Sequence, residues 1–353
     1  MKNTAFNAIA SLMTKLARFV LAMIAVAALA LPAHADKSDI AIGIGPDWGT
    51  SGHAIVASKK GFFEEEGLNV ELKKFPAGLV QVEALAAGSL DFAVPAQAPV
   101  FSLRSAGIPI LILANTAVWG EAMGLVGGKD AGILNPGDLA GKKIGLLKGS
   151  TAELMFNSIL DAYGVDPSSV ETVSLRPPAQ MSSLSTGTID GVVVWEPWVS
   201  NLMAETGGVK LHTGGTSYFE GNNGEAKVVD WTRTVLTTLE GTAKDHPGTV
   251  DAVLRAYVKA QAFITDPANK DEVVAIFSEF QEQEAGFNSK LFDSFEFSLA
   301  LDDRFLDGMN IPLGYLEDIG RIKEKINVLD YVHTAPLAAA DASSVSLTGG
   351  YSN

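Results

Sequence analysis

Two tryptophans and a glutamate follow directly after a short apolar run. The run is Val192–Val194, three β-branched residues that are typical of a buried strand. Pro197 cannot donate to a sheet ladder, so the strand should end in this segment. Ligands of open α/β sheets bind at the carboxyl ends of strands, which makes Trp195, Glu196 and Trp198 candidate ligand-binding residues. The alternative is that both indoles belong to a core and that the glutamate is solvated.

A second candidate site lies at Gly149–Thr151, between a predicted strand at Lys142–Leu147 and a predicted helix at Glu153–Tyr163. Backbone N–H groups and hydroxyls at a helix N-terminus form a site for anions. Ser150 and Thr151 are therefore candidates for binding a sulfonate or a carboxylate. The alternative is ordinary N-capping, which these residue types commonly provide.

The other three tryptophans, Trp48, Trp119 and Trp231, fall in strand-end loops or near predicted crossings between lobes rather than in long helices. An indole buries a large area with little loss of conformational entropy, and its face attracts cations. Glu121 lies close to one of these tryptophans in the sequence. Indoles with nearby carboxylates would suit an ammonium group.

These residue types together predict a zwitterionic ligand, with its acid end at Ser150 and its amine end among tryptophans and carboxylates. Taurine would fit that pattern. Gln97, at the end of a third predicted strand, adds an amide that both donates and accepts hydrogen bonds, although a solvated loop amide is the alternative. Because five tryptophans are many for so small a ligand, a quaternary amine or a larger aromatic ligand remains an alternative.

Other chemistries find little support in the sequence. The absence of cysteine excludes thiolate nucleophiles, disulfides and cysteine–metal sites. The histidines are scattered without zinc-ligand spacing. Gly43–Gly45 is followed by Pro46 rather than by the rest of a dinucleotide fingerprint. We therefore expect no metal, no cofactor and no enzymatic activity, and the net charge of −15 argues against nucleic acid or an anionic membrane as a partner.

The elements that position these residues alternate between strand and helix, which predicts an α/β protein with mostly parallel sheets. Apolar segments on either side of residue 120 indicate a first crossing to a second lobe, and a strand at Lys227–Thr238 is predicted to return. We predict one lobe from residues 36–120 and 232–353 and another from residues 121–231. Near the C-terminus, Tyr315–Asn327 has the amphipathic pattern of a helix.

The first 35 residues have the pattern of a targeting segment. Basic residues at Lys2, Lys15 and Arg18 precede the short apolar run Phe19–Leu31, and Ala33–Ala35 is a small-residue cleavage signal. We expect a mature chain that begins at about residue 36, without a lipid anchor because no cysteine is present, and without a membrane-spanning segment. A periplasmic location follows from this expectation.

Four segments carry a resemblance to a known family: Gly61–Leu72, Glu83–Phe92, Asp138–Gly145 and Ile189–Trp198. In their order and spacing they resemble the periplasmic substrate-binding proteins of the taurine, alkanesulfonate and nitrate ABC importers, over most of residues 39–260. Val173–Leu184, with its pair of prolines, followed by the segment DGVVVW, is most similar to the taurine-binding branch.

The resemblance implies a type II two-lobed fold, in which two α/β lobes joined by two crossings close on one ligand like a flytrap. It also implies ligand contacts on the turn of Ser150 and Thr151. The implied function is a monomeric receptor that delivers a taurine-like sulfonate to a membrane permease. The same receptor role for a quaternary amine or for a pyrimidine- or flavin-like ring is an alternative. A thiamine-pyrimidine-synthesis enzyme is a further alternative, although the export signal is evidence against it. A sensor domain that acts on a signalling partner is another alternative.

Overall fold

The computed structural model of the protein describes residues 38–222, 224–229, 232–318, 320–322 and 324–351. The predicted targeting segment, residues 1–35, and Trp231 lie outside the described residues. Across the part of the chain that is described, none of the helices combines the length and the apolar composition that a bilayer crossing requires.

The strands are β1 Ser38–Ile44, β2 Leu68–Lys74, β3 Phe92–Ala93, β4 Ile110–Trp119, β5 Met123–Gly127, β6 Lys143–Leu146, β7 Glu171–Ser174, β8 Gly191–Trp195, β9 Val209–Thr213, β10 Thr216–Ser217, β11 Glu225–Ala226, β12 Thr232–Leu239 and β13 Phe295–Phe297. The helices are α1 Trp48–Lys59, α2 Phe62–Glu65, α3 Gly78–Ala86, α4 Gln97–Ser105, α5 Thr151–Ala162, α6 Pro177–Ser185, α7 Trp198–Thr206, α8 Glu240–Asp245, α9 Pro247–Thr265, α10 Lys270–Gln281, α11 Ala285–Phe292, α12 Asp303–Asp318 and α13 Thr334–Ala340. Short 3₁₀ turns lie at Pro136–Leu139, Pro167–Ser169, Pro267–Asn269, Val328–Tyr331 and Ala342–Ser344.

The strands form two separate sheets. The first has the order β13-β4-β12-β3-β1-β2, and the second has the order β11-β10-β9-β5-β8-β6-β7. The chain leaves the first sheet at Trp119, enters the second at Met123, and returns to the first at Thr232. The structure therefore has two sheets joined by two crossings, as the sequence led us to expect. The residue boundaries proposed for the two lobes stay a prediction.

The directions of the strands correct one part of the predicted fold class. Parallel pairing joins β1 to β2 and to β3 in the first sheet, and joins β6 to β7 and to β8 in the second. The other pairs are antiparallel, including β12 with β4 and β5 with β8. The sheets are therefore mixed rather than mostly parallel. In the first sheet, β4 leads to the second sheet and β12 returns from it, and these two strands lie side by side in opposite directions.

The apolar run that was singled out in the sequence is a central strand. Every residue of β8 is buried, and Val192–Val194 have no exposed surface. β8 pairs with β5 on one side and β6 on the other. This position explains the unbroken β-branched run, because a strand that is covered on both faces has no solvated side to alternate with.

Trp48 belongs to the hydrophobic core and not to a ligand cleft, which corrects its sequence-based interpretation. Its side chain is fully buried at the start of α1. The indole stacks on Phe277 at a centroid distance of 3.7 Å and meets the edge of Phe292 at 5.0 Å. Its Nε1 donates to the carbonyl of Asn288 at 3.2 Å. An indole whose faces and N–H group are all occupied by protein has nothing left for a ligand.

We expect Trp48→Ala to lower the free energy of unfolding by about 3–5 kcal/mol, because it opens a cavity among closely packed rings. Urea denaturation followed by circular dichroism would measure the change. Trp198→Ala is the matched control, since that indole is only half-buried at the first position of α7. A larger loss in the control than in Trp48→Ala would contradict the core assignment.

Candidate functional site

A cleft lies where several helices begin, and elements of both sheets line it. From the first-sheet side come the loop after β1, the start of α3 and the start of α4. From the second-sheet side come the start of α5 and Trp195 at the end of β8. Trp119 and Met123, at the first crossing, complete the wall. The cleft therefore stands at carboxyl ends of strands, where ligands of α/β folds bind.

The starts of α3 and α4 have no side-chain cap. Ala77 and Ala96 occupy their N-cap positions, and alanine has no side-chain oxygen to accept from first-turn amides. The start of α3 lines the cleft through Ala77, Gly78 and Leu79. The positive end of the α3 dipole favours an anion there.

The cap of α5 is provided by Ser150. Its Oγ accepts from the backbone N–H of Ala152 at 3.2 Å and donates to the carbonyl of Leu147 at 2.7 Å. The sequence left capping and ligand binding as alternatives for this residue. The structure shows the cap, and it also places Ser150 in the lining of the cleft.

Two buried donors without a partner line the cleft beside these helix starts. They are the amide Nε2 of Gln81 on α3 and the hydroxyl of Thr151, the first residue of α5. Gln81 is fully buried and Thr151 is 4% exposed. The Oε1 of Gln81 accepts from the backbone N–H of Val94 at 3.1 Å, which fixes the amide and leaves Nε2 unpaired. An unpaired buried donor costs about 1–3 kcal/mol, so a ligand oxygen at this place would be stabilising.

A third unpaired donor is the Nε1 of Trp119. Gly49 packs closely at this place: a methyl group on it would lie 3.1 Å from this nitrogen and from the hydroxyl of Thr234, and 3.3 Å from Asp47 Oδ1. The close packing favours glycine at this position. The indoles of Trp119 and Trp195 both contribute to the cleft wall.

Asp47 is the one ionisable side chain among the described residues that line this cleft. It caps α1: Oδ1 accepts from the backbone N–H of Thr50 at 2.9 Å, and Oδ2 accepts from the Thr50 hydroxyl at 2.6 Å. Burial raises the pKa of Asp47 to about 6, and the hydrogen bonds from Thr50 only partly oppose this effect. The cleft therefore contains neutral hydrogen-bond donors and one carboxylate whose charged form is destabilised by burial.

The size of the cleft limits what it can hold. It contains about 400 Å³ of unoccupied space including its open mouth. This volume is at the small end of the range for ligand pockets.

Four of the residues proposed from the sequence line this cleft: Trp119, Ser150, Thr151 and Trp195. Other proposed residues form contacts with protein groups outside the cleft. Gln97 is fully buried, and its Oε1 accepts from the backbone N–H of Arg233 at 2.6 Å.

The two glutamates proposed to bind an amine are engaged elsewhere. Glu196 is buried and accepts from the backbone N–H of Ser200 at 3.0 Å and from its hydroxyl at 2.9 Å, so that it holds the first turn of α7. Burial raises its pKa above the ordinary value. Glu121 is exposed and accepts from the hydroxyls of Thr213 and Thr216. Neither glutamate is in the lining of the cleft. The structure therefore places both outside the site predicted for an amine, where each holds neighbouring structure.

Trp198 is also outside the cleft lining. It is half-buried at the start of α7, and its Nε1 has no partner in the described residues. In the sequence Trp198 is indistinguishable from Trp195, which is three residues earlier. The difference arises because β8 carries Trp195 to the strand end that faces the cleft, whereas Trp198 already belongs to the helix that covers the sheet.

Three polar residues of the cleft were missed by the sequence analysis, Asp47, Thr50 and Gln81. Asp47 precedes Thr50 by three residues, a spacing typical of a helix N-terminus. Gln81 is the one polar residue on the buried face of α3, next to Val82 and Leu85. A lone amide on an apolar helix face was the signal that could have indicated a buried polar function.

An ion pair connects the turn of the cleft to the other side of the molecule. Glu153, in the first turn of α5, pairs with Arg321 and also accepts from the backbone N–H of Gly149 at 2.8 Å. Arg321 follows α12, which packs against α4 and β12 of the first-sheet side. The pair therefore joins the two sides of the cleft.

The chain belongs to the NMT1-like family, whose profile matches residues 33–278. It is 30% identical to the taurine-binding periplasmic protein of Escherichia coli (strain K12) over 210 residues, which are 58% of this chain and 61% of the relative. It is 28% identical to a Bacillus subtilis (strain 168) protein named for binding aliphatic sulfonates, over 65% of this chain and 66% of the relative. The resemblance that the sequence motifs indicated is confirmed.

Solved structures share the fold. The alkanesulfonate-binding protein SsuA from Xanthomonas axonopodis pv. citri, bound to MOPS, superposes with a TM-score of 0.70 at 17% identity, covering 85% of this chain and 99% of that chain. The desulfurization enzyme DSZB superposes with a TM-score of 0.60 at 17% identity, covering 87% of this chain and 99% of that chain. The two-lobed fold is therefore confirmed, and proteins with this fold include both a binding protein and an enzyme.

Asp47→Asn should stabilise the protein near pH 7.5 but not near pH 4. The pKa of Asp47 is about 6 in the folded protein and about 4 in an unfolded chain. The stability linked to this group is therefore fully present below about pH 4 and is lost as the pH rises through about 6. At pH 7.5 the buried carboxylate costs on the order of 2–3 kcal/mol, whereas asparagine keeps the cap without the charge.

Urea unfolding at the two pH values would measure this difference. Asp166→Asn is the control, because Asp166 is an exposed N-cap whose pKa is lowered by hydrogen bonds from Ser168. An equal gain for Asp47→Asn at both pH values would contradict the assigned cost of burying its charge.

Proposed function

We propose that this protein is a non-enzymatic periplasmic receptor that binds a small sulfonate of the taurine type in this cleft and delivers it to the permease of an ABC importer. The observation that carries the proposal is the pair of unpaired donors, Gln81 Nε2 and Thr151 Oγ1, at the starts of α3 and α5. Sulfonate offers three acceptor oxygens, which match these donors and the uncapped backbone amides. The names of the relatives from Escherichia coli and Bacillus subtilis point to the same ligand class.

A quaternary amine fits this cleft less well. Such a ligand would find the faces of Trp119 and Trp195 and the carboxylate of Asp47. It would have no acceptor for Gln81 and Thr151, which would stay unpaired at the full cost.

A catalytic role also has little support from the cleft residues. Among the described residues of the lining, Asp47 is the one titrating group, and its carboxylate is bonded to Thr50. The hydroxyl of Ser150 donates to a backbone carbonyl rather than to a base. A nucleophile needs an adjacent base to be activated, and no such pair is present in the described part of this cleft.

The proposal is tested by isothermal titration of the mature chain, residues 36–353, with taurine, ethanesulfonate, nitrate, choline and a pyrimidine. We expect binding of a sulfonate, without turnover of the ligand after prolonged incubation. Binding of choline or the pyrimidine alone would replace the ligand class, and chemical conversion of any of these ligands would overturn the receptor assignment.

Thr151→Val should weaken sulfonate binding by about ten- to a hundredfold, because it removes a donor to a charged group while keeping the shape of the side chain. Titration with the bound sulfonate would give the ratio of dissociation constants. Thr334→Val is the matched control, since Thr334 is likewise the first residue of a helix and lies outside the cleft. Equal affinities for both variants and the parent protein would remove Thr151 from the site.

Arg321→Gln should weaken binding by up to about fivefold, because the exposed pair with Glu153 contributes about 0–1 kcal/mol to holding the two sides together. The difference from the parent protein should shrink at high salt. Arg255→Gln is the control, because Arg255 pairs with Glu66 within the first-sheet side. The same loss in both variants would contradict a specific role of Arg321 in closing the cleft.

A further inference from the structure

We propose that Gln281 is a positioning residue of the candidate site, which fixes the loop Gly45–Asp47 in the cleft wall without lining the cleft itself. The affinity that this inference predicts rests on the proposed function, whereas the order of the loop can be measured without a ligand. Gln281 lies beyond residues 33–278, which the family profile matches.

The first argument is that one amide group spans both ends of the loop. Gln281 is the last residue of α10. Its Nε2 donates to the carbonyl of Gly45 at 2.8 Å and to the hydroxyl of Ser51 at 3.2 Å. The Ser51 hydroxyl in turn donates to the carbonyl of Asp47 at 2.6 Å. Because a primary amide has two N–H donors, this side chain uses both of them and ties the end of β1 to the first turn of α1.

The second argument is that both acceptors are shielded from solvent. Gly45 is buried and Ser51 is 1% exposed. A buried polar group that loses its hydrogen-bond partner destabilises the arrangement that buries it. Without the amide of Gln281, the loop would therefore have to shift or to admit water.

The third argument is that neighbouring residues of α10 and α11 hold the start of α1 at the same place. Gln283 Nε2 donates to the carbonyl of Pro46 at a long 3.5 Å. The indole of Trp48 stacks on Phe277 and donates to the carbonyl of Asn288. Successive residues of the loop and of the α1 start thus contact one helical unit outside the cleft.

The backbone between the two glutamines is itself constrained. Glu282, with a φ of 58°, is the one non-glycine residue with a positive φ in the described part of the chain. A left-handed conformation is unfavourable for a residue with a Cβ, and it persists where surrounding contacts fix it. The hydrogen bonds of Gln281 and Gln283 to the loop are contacts of this kind.

The alternative is that Gln281 only stabilises the packing of α10 on α1. Gln281→Met keeps the length of the side chain and removes both donors, and Gln281→Glu places an acceptor opposite the Gly45 carbonyl. Val274→Ala is the control for general packing, because Val274 is a buried residue of the same helix. Glu279→Met is the surface control, since Glu279 pairs with Lys59 at the other end of α1.

Hydrogen exchange of the full mature chain without ligand, followed by mass spectrometry, tests the positioning. In both Gln281 variants, residues 45–51 should exchange at least about fivefold faster, because the backbone N–H of Thr50, bonded to Asp47 Oδ1, loses protection when the loop opens. The rest of the chain should exchange as in the parent protein. Val274→Ala should lower the melting temperature without this local change.

Isothermal titration with ethanesulfonate tests the consequence for the site. The dissociation constant should rise by about three- to tenfold in Gln281→Met and by more in Gln281→Glu. The physical reason is that a loop in the competent arrangement for only part of the time lowers the apparent affinity by that fraction. The Val274→Ala and Glu279→Met controls should bind like the parent protein.

Three results would overturn the inference. Residues 45–51 could exchange at the parent rate in both Gln281 variants, or exchange could rise throughout α1 and α10 as it does in Val274→Ala. The loop could also exchange faster while the affinity for ethanesulfonate stays the same, which would separate the loop from the site. If the parent protein did not bind ethanesulfonate, the proposed function would fail, and the exchange data would still decide whether Gln281 fixes the loop.

Discussion

The helices around the cleft depend on one constraint, which is that the first-turn N–H groups of a helix have no acceptor within the helix itself. Several helix starts, including those of α1, α5 and α11, satisfy that need with a side-chain oxygen. α3 instead begins at Ala77 beside the cleft without a side-chain cap, and the nearby donors Gln81 Nε2 and Thr151 Oγ1 are also unpaired. These donors lie in the lining of one cleft, where an acceptor from a ligand would satisfy them.

The carboxylate of Asp47 shows the same constraint satisfied from within the protein. It caps α1 by accepting from the backbone N–H and the hydroxyl of Thr50, and the backbone of Gly49 contributes as well. Burial of this charge costs folding free energy and raises the pKa of Asp47 to about 6. The overall acidity of the chain has little influence on so local a site.

The sequence allowed the sheet and the turn of the site to be predicted, but not the use of each side chain. Val192–Val194 and the Ser150 turn could be recognised because apolar runs and capping residues act over a few neighbouring positions. Trp48 lies in the core and Glu196 caps a helix rather than lining the cleft, because an indole or a carboxylate at a strand end serves a core or a cap as readily as a ligand. Which of these uses applies depends on partners such as Phe277, which is more than two hundred residues away. The helix predicted at residues 315–327 lies at Asp303–Asp318 for a similar reason, since packing against α4 and β12 outweighs local periodicity.

Glu153 connects the turn that presents Thr151 to the other side of the cleft. Its carboxylate accepts from the N–H of Gly149, in the turn that presents Thr151, and pairs with Arg321 on the other side of the cleft. A ligand oxygen on Thr151 and the ion pair of Glu153 both require the same position of the α5 start. A condition that stabilises the ion pair would therefore also stabilise ligand binding at Thr151. The reason is that a ligand shifts the equilibrium between two conformations by the difference between its affinities for them. In the proposed receptor, Glu153, two residues after Thr151, would therefore link the donors for the sulfonate to the arrangement of the two sides.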